Sequence, residues 1–397
     1  MPGAYNDMSK MDVKYIYIIG SKGIPAQYGG FETFVDRLTL YKKSEKIKYQ
    51  VACMRDGEIE EYHDSICFPV RVPNIGPAKA ILYDTRAFQY CLDDIRKNGY
   101  ENPIVYVLAC RIGPFMKKFQ KQIHDLGGRV FINPDGHEWL RGKWSKPVRA
   151  YWKYSEKNMI HYSDLVICDS ERIREYIVSE YERYHPETIF IPYGADQVEK
   201  TSNQELLDKY ETWLHRFDLK AGEYYLIVGR FVPENNYETM LRDFHLAETK
   251  KKLVVITKTD NKKLLRKISK NKGVMTDKRI IFPGTVYDAG LLTLIRENAF
   301  CYLHGHEVGG TNPSLLEALA TTKRNLLLDV PFNREVAGNG ALYFTKEMGN
   351  MCQAMARFES MSEEESDEFS DQAKKRIDEY YQWDKICMKY ETLFEKN

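Results

Sequence analysis

The unbroken apolar and aromatic run Tyr15 to Ile19 ends directly in the stretch Gly20-Ser-Lys-Gly-Ile-Pro-Ala-Gln-Tyr-Gly-Gly-Phe-Glu-Thr-Phe34. That junction restricts the fold more than any other stretch of the chain. A short run with no polar interruption is the pattern of a parallel strand buried on both faces. After Gly29 and Gly30, the residues Phe31, Phe34, Val35, Leu38 and Leu40 return at roughly helical spacing, so the loop hands over to a helix. Two readings of the glycine pair stand side by side. Backbone N–H groups here can meet an anion at a helix N-terminus, where the dipole favours negative charge. A tight strand-to-helix turn needs glycine just as much.

The same alternation continues. Strands are expected at Tyr49 to Met54, at Ile66 to Val72 near a sheet edge because Pro69 interrupts it, at Ile104 to Ala109, at Val130 to Ile132, within Ser163 to Ser170, where Asp169 or Ser170 caps the helix that follows, and at Thr188 to Pro192. Helical stretches between them imply a parallel sheet with right-handed crossovers. Glycine or polar loops follow three of these strand ends, at Gly20, at Cys110-Arg111-Ile112-Gly113 and at Asn133-Pro134-Asp135-Gly136-His137-Glu138-Trp139. Ligands of open α/β sheets bind outside the carboxyl ends of strands, so the three loops define one rim.

A second set begins at Tyr224 to Val228, a strand ending in Gly229-Arg230, and continues with Leu253 to Ile256, Ile280 to Phe282, Ala299 to Leu303 and Asn325 to Asp329. A chain of 397 residues is too long for one core. The expected division is a loose leader over 1–11, Rossmann-like domains over 12–197 and 198–370, and a terminal segment over 371–397 that packs back on the first domain. Val198 to Asn203 reads as the linker, and Trp383, Ile386, Tyr390 and Phe394 form the apolar stripe of the last helix.

Lysine and arginine number 58 against 57 acidic residues, so the balance of charge gives no electrostatic case for a nucleic-acid partner. The eight cysteines include no Cys-x-x-Cys pair, which argues against structural zinc and a disulfide framework and fits a reducing cytosol. No Asp-x-Asp pair follows a strand, so a bound divalent metal is not indicated and no cofactor is expected.

Two open α/β domains facing across a cleft would place a nucleotide on one and an acceptor on the other. Arg230 suits a diphosphate through bidentate contact, or forms a surface ion pair. Gly309, Gly310, Thr311 and Asn312 precede a helix and add N–H donors. Glu317, one turn in, accepts from ribose hydroxyls or answers the helix dipole. Lys258 and Lys22 are further cations for the leaving group. Asp135 and His137 stand on the first domain's rim, as proton acceptors for an incoming hydroxyl or as a turn residue and its hydrogen-bonding support. Glu307 contacts a sugar or is solvated. Arg141 to Tyr154 interleaves basic and aromatic side chains, which suits an anionic membrane surface, or a solvated helix whose tryptophans turn inward.

From Tyr15 to about Tyr343 the order of these pieces resembles the GT-B glycosyltransferases of family 4, especially bacterial rhamnosyltransferases, of the β-1,4 type, that build capsule and cell-wall polysaccharides. The resemblance rests on Gly20 to Phe34, on Asn133 to Trp139 and on Gly309-Gly310-Thr311-Asn312-Pro313-Ser314-Leu315-Leu316-Glu317. It implies that Gly29 and Gly30 face the donor diphosphate, that Arg230 holds it from the other domain, and that Glu317 binds the nucleotide ribose. It implies transfer from dTDP-L-rhamnose, with retention and without metal, to glucose or N-acetylglucosamine on a lipid pyrophosphate. The enzyme would then be cytoplasmic and peripheral at the inner face of the bacterial membrane. The chain departs from the family at two points: Asn235 stands where a lysine is usual, and the spacing from Glu307 to Glu317 is longer. The competing expectations are a UDP-sugar epimerase of the same fold and a non-catalytic nucleotide-sugar-binding protein.

Overall fold

The computed structural model describes residues 13–26, 29–142, 144–196 and 203–397. They divide into two compact units, one built from 13–135, 146–192 and 383–397, the other from 136–145 and 193–382. The expected leader and nearly all of the expected linker, as well as Gln27, Tyr28 and Lys143, lie outside the described residues.

In the first unit the strands are β1 (Lys14–Ile19), β2 (Ile47–Cys53), β3 (Glu60–Tyr62), β4 (Ser65–Pro69), β5 (Ile104–Leu108), β6 (Arg129–Asn133), β7 (Leu165–Cys168) and β8 (Thr188–Phe190). They form one sheet in the order β3-β4-β2-β1-β5-β6-β7-β8. All pairings are parallel except β3 with β4. Three-residue β3 is too short and too polar to show in the sequence. It covers β4, which is therefore next to the edge rather than on it.

Strand order reverses between β1 and β5, so the switch point of this sheet lies at the ends of those two strands. The glycine loop starts there under tight constraint. Gly20 has φ 94°, and a Cβ on it would lie 2.1 Å from the Leu108 carbonyl oxygen, so neither the backbone angle nor the space admits a side chain. The helix Trp383–Lys396 returns to this unit, as its stripe implies. Tyr390 lies 5.3 Å from Phe34 between ring centres, and its hydroxyl is 3.2 Å from that of Tyr106. Glu391 accepts from the N–H groups of Lys43 and Ser44 at 2.7 and 3.0 Å.

In the second unit β9 (Tyr224–Val228), β10 (Lys252–Ile256), β11 (Ile280–Gly284), β12 (Cys301–His304), β13 (Asn325–Leu328) and β14 (Leu342–Phe344) form a sheet in the order β11-β10-β9-β12-β13-β14. Every pairing is parallel. Alternate residues of β9 and β10 feed opposite faces: Tyr225, Ile227, Leu253 and Val255 join one apolar cluster, Tyr224, Leu226, Val254 and Ile256 the other. Burial on both faces is why these strands read as continuous apolar runs. Here order reverses between β9 and β12, which brings the end of β9, with Gly229 and Arg230, beside the end of β12 and the loop after it.

Candidate active site

Each unit carries a set of polar groups at its own switch point. In the first, the glycine loop is pinned from several sides. The Lys22 N–H donates to Glu32 Oε1 (2.9 Å), the Ala26 N–H to Asp36 Oδ2 (3.1 Å), and Arg111 Nη1 to the Gly20 carbonyl (2.6 Å) and to Asp84 Oδ2 (3.1 Å). Asp84 is fully buried, and burial, opposed by the Arg111 charge, pushes its carboxyl up to about 6. Gly29 caps the helix Gly30–Leu40 with no side-chain bond, and Glu32 folds back over it. Gly30 is exposed, with open space where a Cβ would stand.

Asp135 and His137 fall in different units. The chain leaves the first unit after Asp135. Asp135 has φ 58°, and its N–H donates to Asn133 Oδ1 (2.8 Å), the turn role that Asp-Gly suggested. His137 belongs to the second unit, its ring 6.4 Å from that of Phe332. In this short excursion Glu138 holds Arg141 at 2.5 Å and accepts from Trp144 Nε1 at 2.8 Å. The basic aromatic stretch is therefore not one surface: Arg141 is buried, and Lys153 is paired with Glu180 at 2.8 Å, while Lys146 and Tyr154 are exposed.

The second unit gathers the remaining expected residues around the ends of β10, β9 and β12. Arg230 and Lys258 are both exposed, and among the described residues neither side chain has a counter-ion or hydrogen bond. The surface ion pair considered for Arg230 is absent there. The helix Pro313–Thr321 begins after Gly309, Gly310, Thr311 and Asn312, with Asn312 accepting from the Ser314 N–H (3.0 Å). Its amino end supplies positive potential at the same switch point. Glu317 is not free, because its Oε2 lies 2.5 Å from Arg296 Nη2. Glu307 pairs with Lys346.

Residues that sequence reading missed hold this loop in shape. Asn236 Nδ2 donates to the Gly305 carbonyl (2.8 Å), and Asn333 Nδ2 to the carbonyls of His306 (3.1 Å) and Leu328 (2.8 Å). Asn235, standing where the family's lysine would be, donates to the Arg230 carbonyl (2.7 Å) and meets His306 Nδ1 (2.7 Å). With its amide nitrogen committed to Arg230, Asn235 offers its oxygen, so His306 Nδ1–H is the donor. The only advance sign was the Asn235-Asn236 pair itself, since asparagine tolerates the left-handed backbone found at Asn236, φ 50°.

Burial drives His304 and His306 down to about 3, with the charges of Arg141 and Arg230 adding to the effect at His306. Both imidazoles are therefore neutral near neutral pH, and His306 Nε2 is left as an acceptor. Between about pH 6.5 and 3 the unfolded chain takes up these protons while the folded chain does not, so acidification destabilises the fold. The slope is about 1.4 kcal/mol per pH unit for each histidine, or roughly 2 kcal/mol between pH 6.5 and 5. The variant His304→Gln is expected to lose about that much less stability than the parent between pH 7 and 5, measured by urea unfolding. Equal losses in both would contradict the assignment.

Among the described residues no group of three or more His, Cys, Asp or Glu could hold a metal ion, and no helix is long and apolar enough to cross a membrane.

Two parallel-sheet units of this kind define the GT-B fold, and solved structures match nearly end to end. Sucrose-phosphate synthase (tll1590) from Thermosynechococcus elongatus superposes with a TM-score of 0.77 at 14% identity, covering 97% of this chain and 98% of that one. A glycosyltransferase from Rickettsia africae gives 0.71 at 10% identity over 97% and 98%. Anabaena Alr3699/HepE, solved in complex with UDP, gives 0.70 at 10% identity over 98% and 100%. No curated protein matches the sequence. Residues 13–196 match a domain of unknown function (DUF1972), and residues 212–376 match the family Glycosyl transferases group 1. Within the second unit, residues 212–376 thus match the group 1 glycosyl transferases, and the chain has the GT-B fold.

Proposed function

We propose that this chain is a glycosyltransferase that moves L-rhamnose from dTDP-L-rhamnose, with retention at the anomeric carbon, to glucose or N-acetylglucosamine on a lipid pyrophosphate at the cytoplasmic face of the bacterial membrane. The observation that carries the reading is that Arg230 and Lys258, which among the described residues have no counter-ions, follow the ends of the neighbouring strands β9 and β10, while the helix Pro313–Thr321 starts in the loop after β12, on the other side of β9. These are the groups that neutralise a diphosphate. That the neighbour HepE was solved with UDP supports a nucleotide there. The choice of rhamnose and of the lipid carrier rests on the motif resemblance at Gly20 to Phe34 and Gly309 to Glu317.

In this scheme the donor's C1–O bond to phosphate breaks while the acceptor oxygen bonds to C1 on the same face, and the departing phosphate oxygen takes the acceptor's proton. Arg230, Lys258 and the N–H groups of Gly309, Gly310 and Thr311 stabilise the charge that grows on the leaving diphosphate. Glu317 accepts from the 3′-hydroxyl of the donor's deoxyribose, Glu307 from the transferred sugar, and His306 offers a neutral acceptor beside Gly309. Gly29 and Gly30 present backbone N–H groups to the pyrophosphate, and Asp135 orients the acceptor hydroxyl. Exposed Phe115, Lys117, Lys118, Lys121, Lys146 and Tyr154, on the packed helices Gly113–His124 and Lys146–His161, support attachment to an anionic surface.

One assay tests the whole. A panel of sugar nucleotides is offered with lipid-pyrophosphate glucose or N-acetylglucosamine, carried in anionic or neutral vesicles, and product mass and linkage are read. Rhamnosyl product from dTDP-L-rhamnose, faster on anionic vesicles and about tenfold or more slower in Asp135→Asn, is expected. Another donor or product corrects the substrate, and full activity of a folded Asp135→Asn removes that role. Binding without product would make the chain a sugar-nucleotide-binding protein.

A further inference from the structure

Resting on the ribose role proposed for Glu317, a buried chain of polar groups behind this residue bears on which nucleotides the site accepts. Arg296, in the helix Ala289–Glu297, is 4% exposed. Its Nη2 lies 2.5 Å from Glu317 Oε2 and donates to Ser314 Oγ at 3.4 Å. Ser314 Oγ is 2.9 Å from the Tyr302 hydroxyl, and both hydroxyls lie within hydrogen-bond reach of the Val228 carbonyl, at 3.3 and 3.1 Å. Val228 is the last residue of β9, two before Arg230. Thr322 Oγ1 donates to the Arg296 carbonyl at 3.0 Å, fixing the arginine's backbone as well. The chain therefore runs from the strand end that carries Arg230 to the carboxylate of Glu317.

A guanidinium that is almost wholly buried has strong reason to keep its carboxylate partner, because water cannot take the partner's place. Glu317 itself is 42% exposed at its side chain, so one edge is held from inside while the other faces solvent. A carboxylate that swings freely can align both oxygens with a vicinal diol. One with Oε2 drawn to an arginine presents chiefly Oε1.

We propose that Arg296 is a positioning residue that fixes Glu317 to take a single ribose hydroxyl, so that the site binds ribonucleoside and 2′-deoxyribonucleoside diphosphates about equally well. The specificity for the nucleotide then lies with the base and the diphosphate, and the 2′-hydroxyl goes unread.

The test is calorimetric titration of the full chain with UDP and with 2′-deoxy-UDP, which differ only in that hydroxyl. The unaltered chain is expected to bind the two within about fivefold, and a larger ratio overturns the proposal. Glu317→Gln and Arg296→Gln should each weaken both nucleotides by about 5- to 20-fold, the loss of one charge-assisted contact. The double variant should bind no more weakly than the weaker single, because Arg296 acts only through Glu317. Losses that multiply, or an Arg296→Gln chain that binds normally, overturn it. Arg296→Lys keeps a cation in the buried site and should recover part of the affinity, which also covers the case that Arg296→Gln does not fold. Arg230→Ala serves as the control for the donor site. If it binds UDP normally, the placement of the nucleotide is wrong. If it binds weakly while Glu317→Gln does not, only the present inference fails.

Discussion

Arg230→Ala is expected to weaken nucleoside diphosphate binding by about 10- to 100-fold and to leave the thermal midpoint unchanged. The side chain is exposed and, among the described residues, makes no hydrogen bond or ion pair that folding would lose. What it loses is a charge-assisted contact to phosphate, about 1.5 to 3 kcal/mol, each 1.4 kcal/mol being tenfold. The effect on turnover is larger still. If the leaving diphosphate gains negative charge in the transition state, an arginine aimed at it contributes more there than in the bound donor, and kcat should fall about 100- to 1,000-fold. Arg230→Lys should lie between, because an ammonium keeps the charge and loses the bidentate fit. Initial rates and titration of the two variants check this. An Arg230→Ala chain with normal affinity and turnover would remove the residue from the site.

Gly136→Ala is the second large effect. A Cβ at Gly136 would lie 2.2 Å from Gly309 Cα, 2.6 Å from its carbonyl carbon and 2.9 Å from the Gly310 nitrogen. These are backbone atoms, so no rotamer change relieves the clash, and either the 136–145 segment or the Gly309-Gly310 loop has to move. Overpacking of this kind costs about 1 to 3 kcal/mol. A shift of about 1 Å in groups that position the substrate costs about 100-fold in rate. Gly142→Ala is the matched control, since its nearest neighbour, Pro233 Cβ, is at 4.0 Å. Rates are to be compared at a temperature where both variants are folded. Equal activity would mean that the Gly309-Gly310 loop need not hold its place.

The strands were legible because parallel sheets covered on both faces leave unbroken apolar runs, as at Tyr15 to Ile19 and Tyr224 to Val228. Only β3 and β14 escaped, both three residues long. The helix Trp383–Lys396 was legible from its apolar stripe. The loops after the strand ends were legible from their glycines or lone cations, at Gly29, Gly30, Arg230, Lys258, Gly309 and Gly310. The contacts that hold those loops were not. Arg111 with Asp84, Arg296 with Glu317, and Asn333 with His306 pair residues far apart in sequence, and nothing local marks an arginine or asparagine as buried. His137 was assigned to the first unit because it is two residues from Asp135. Chain proximity does not disclose that the backbone changes units between them.

The placement of the donor is tested most directly by amide hydrogen exchange with and without saturating dTDP. The account requires slowed exchange at Gly229 to Phe231 and at Gly309 to Ser314, lost in Arg230→Ala at the same nucleotide concentration. Slowed exchange confined to other segments, or none at saturation, would contradict it.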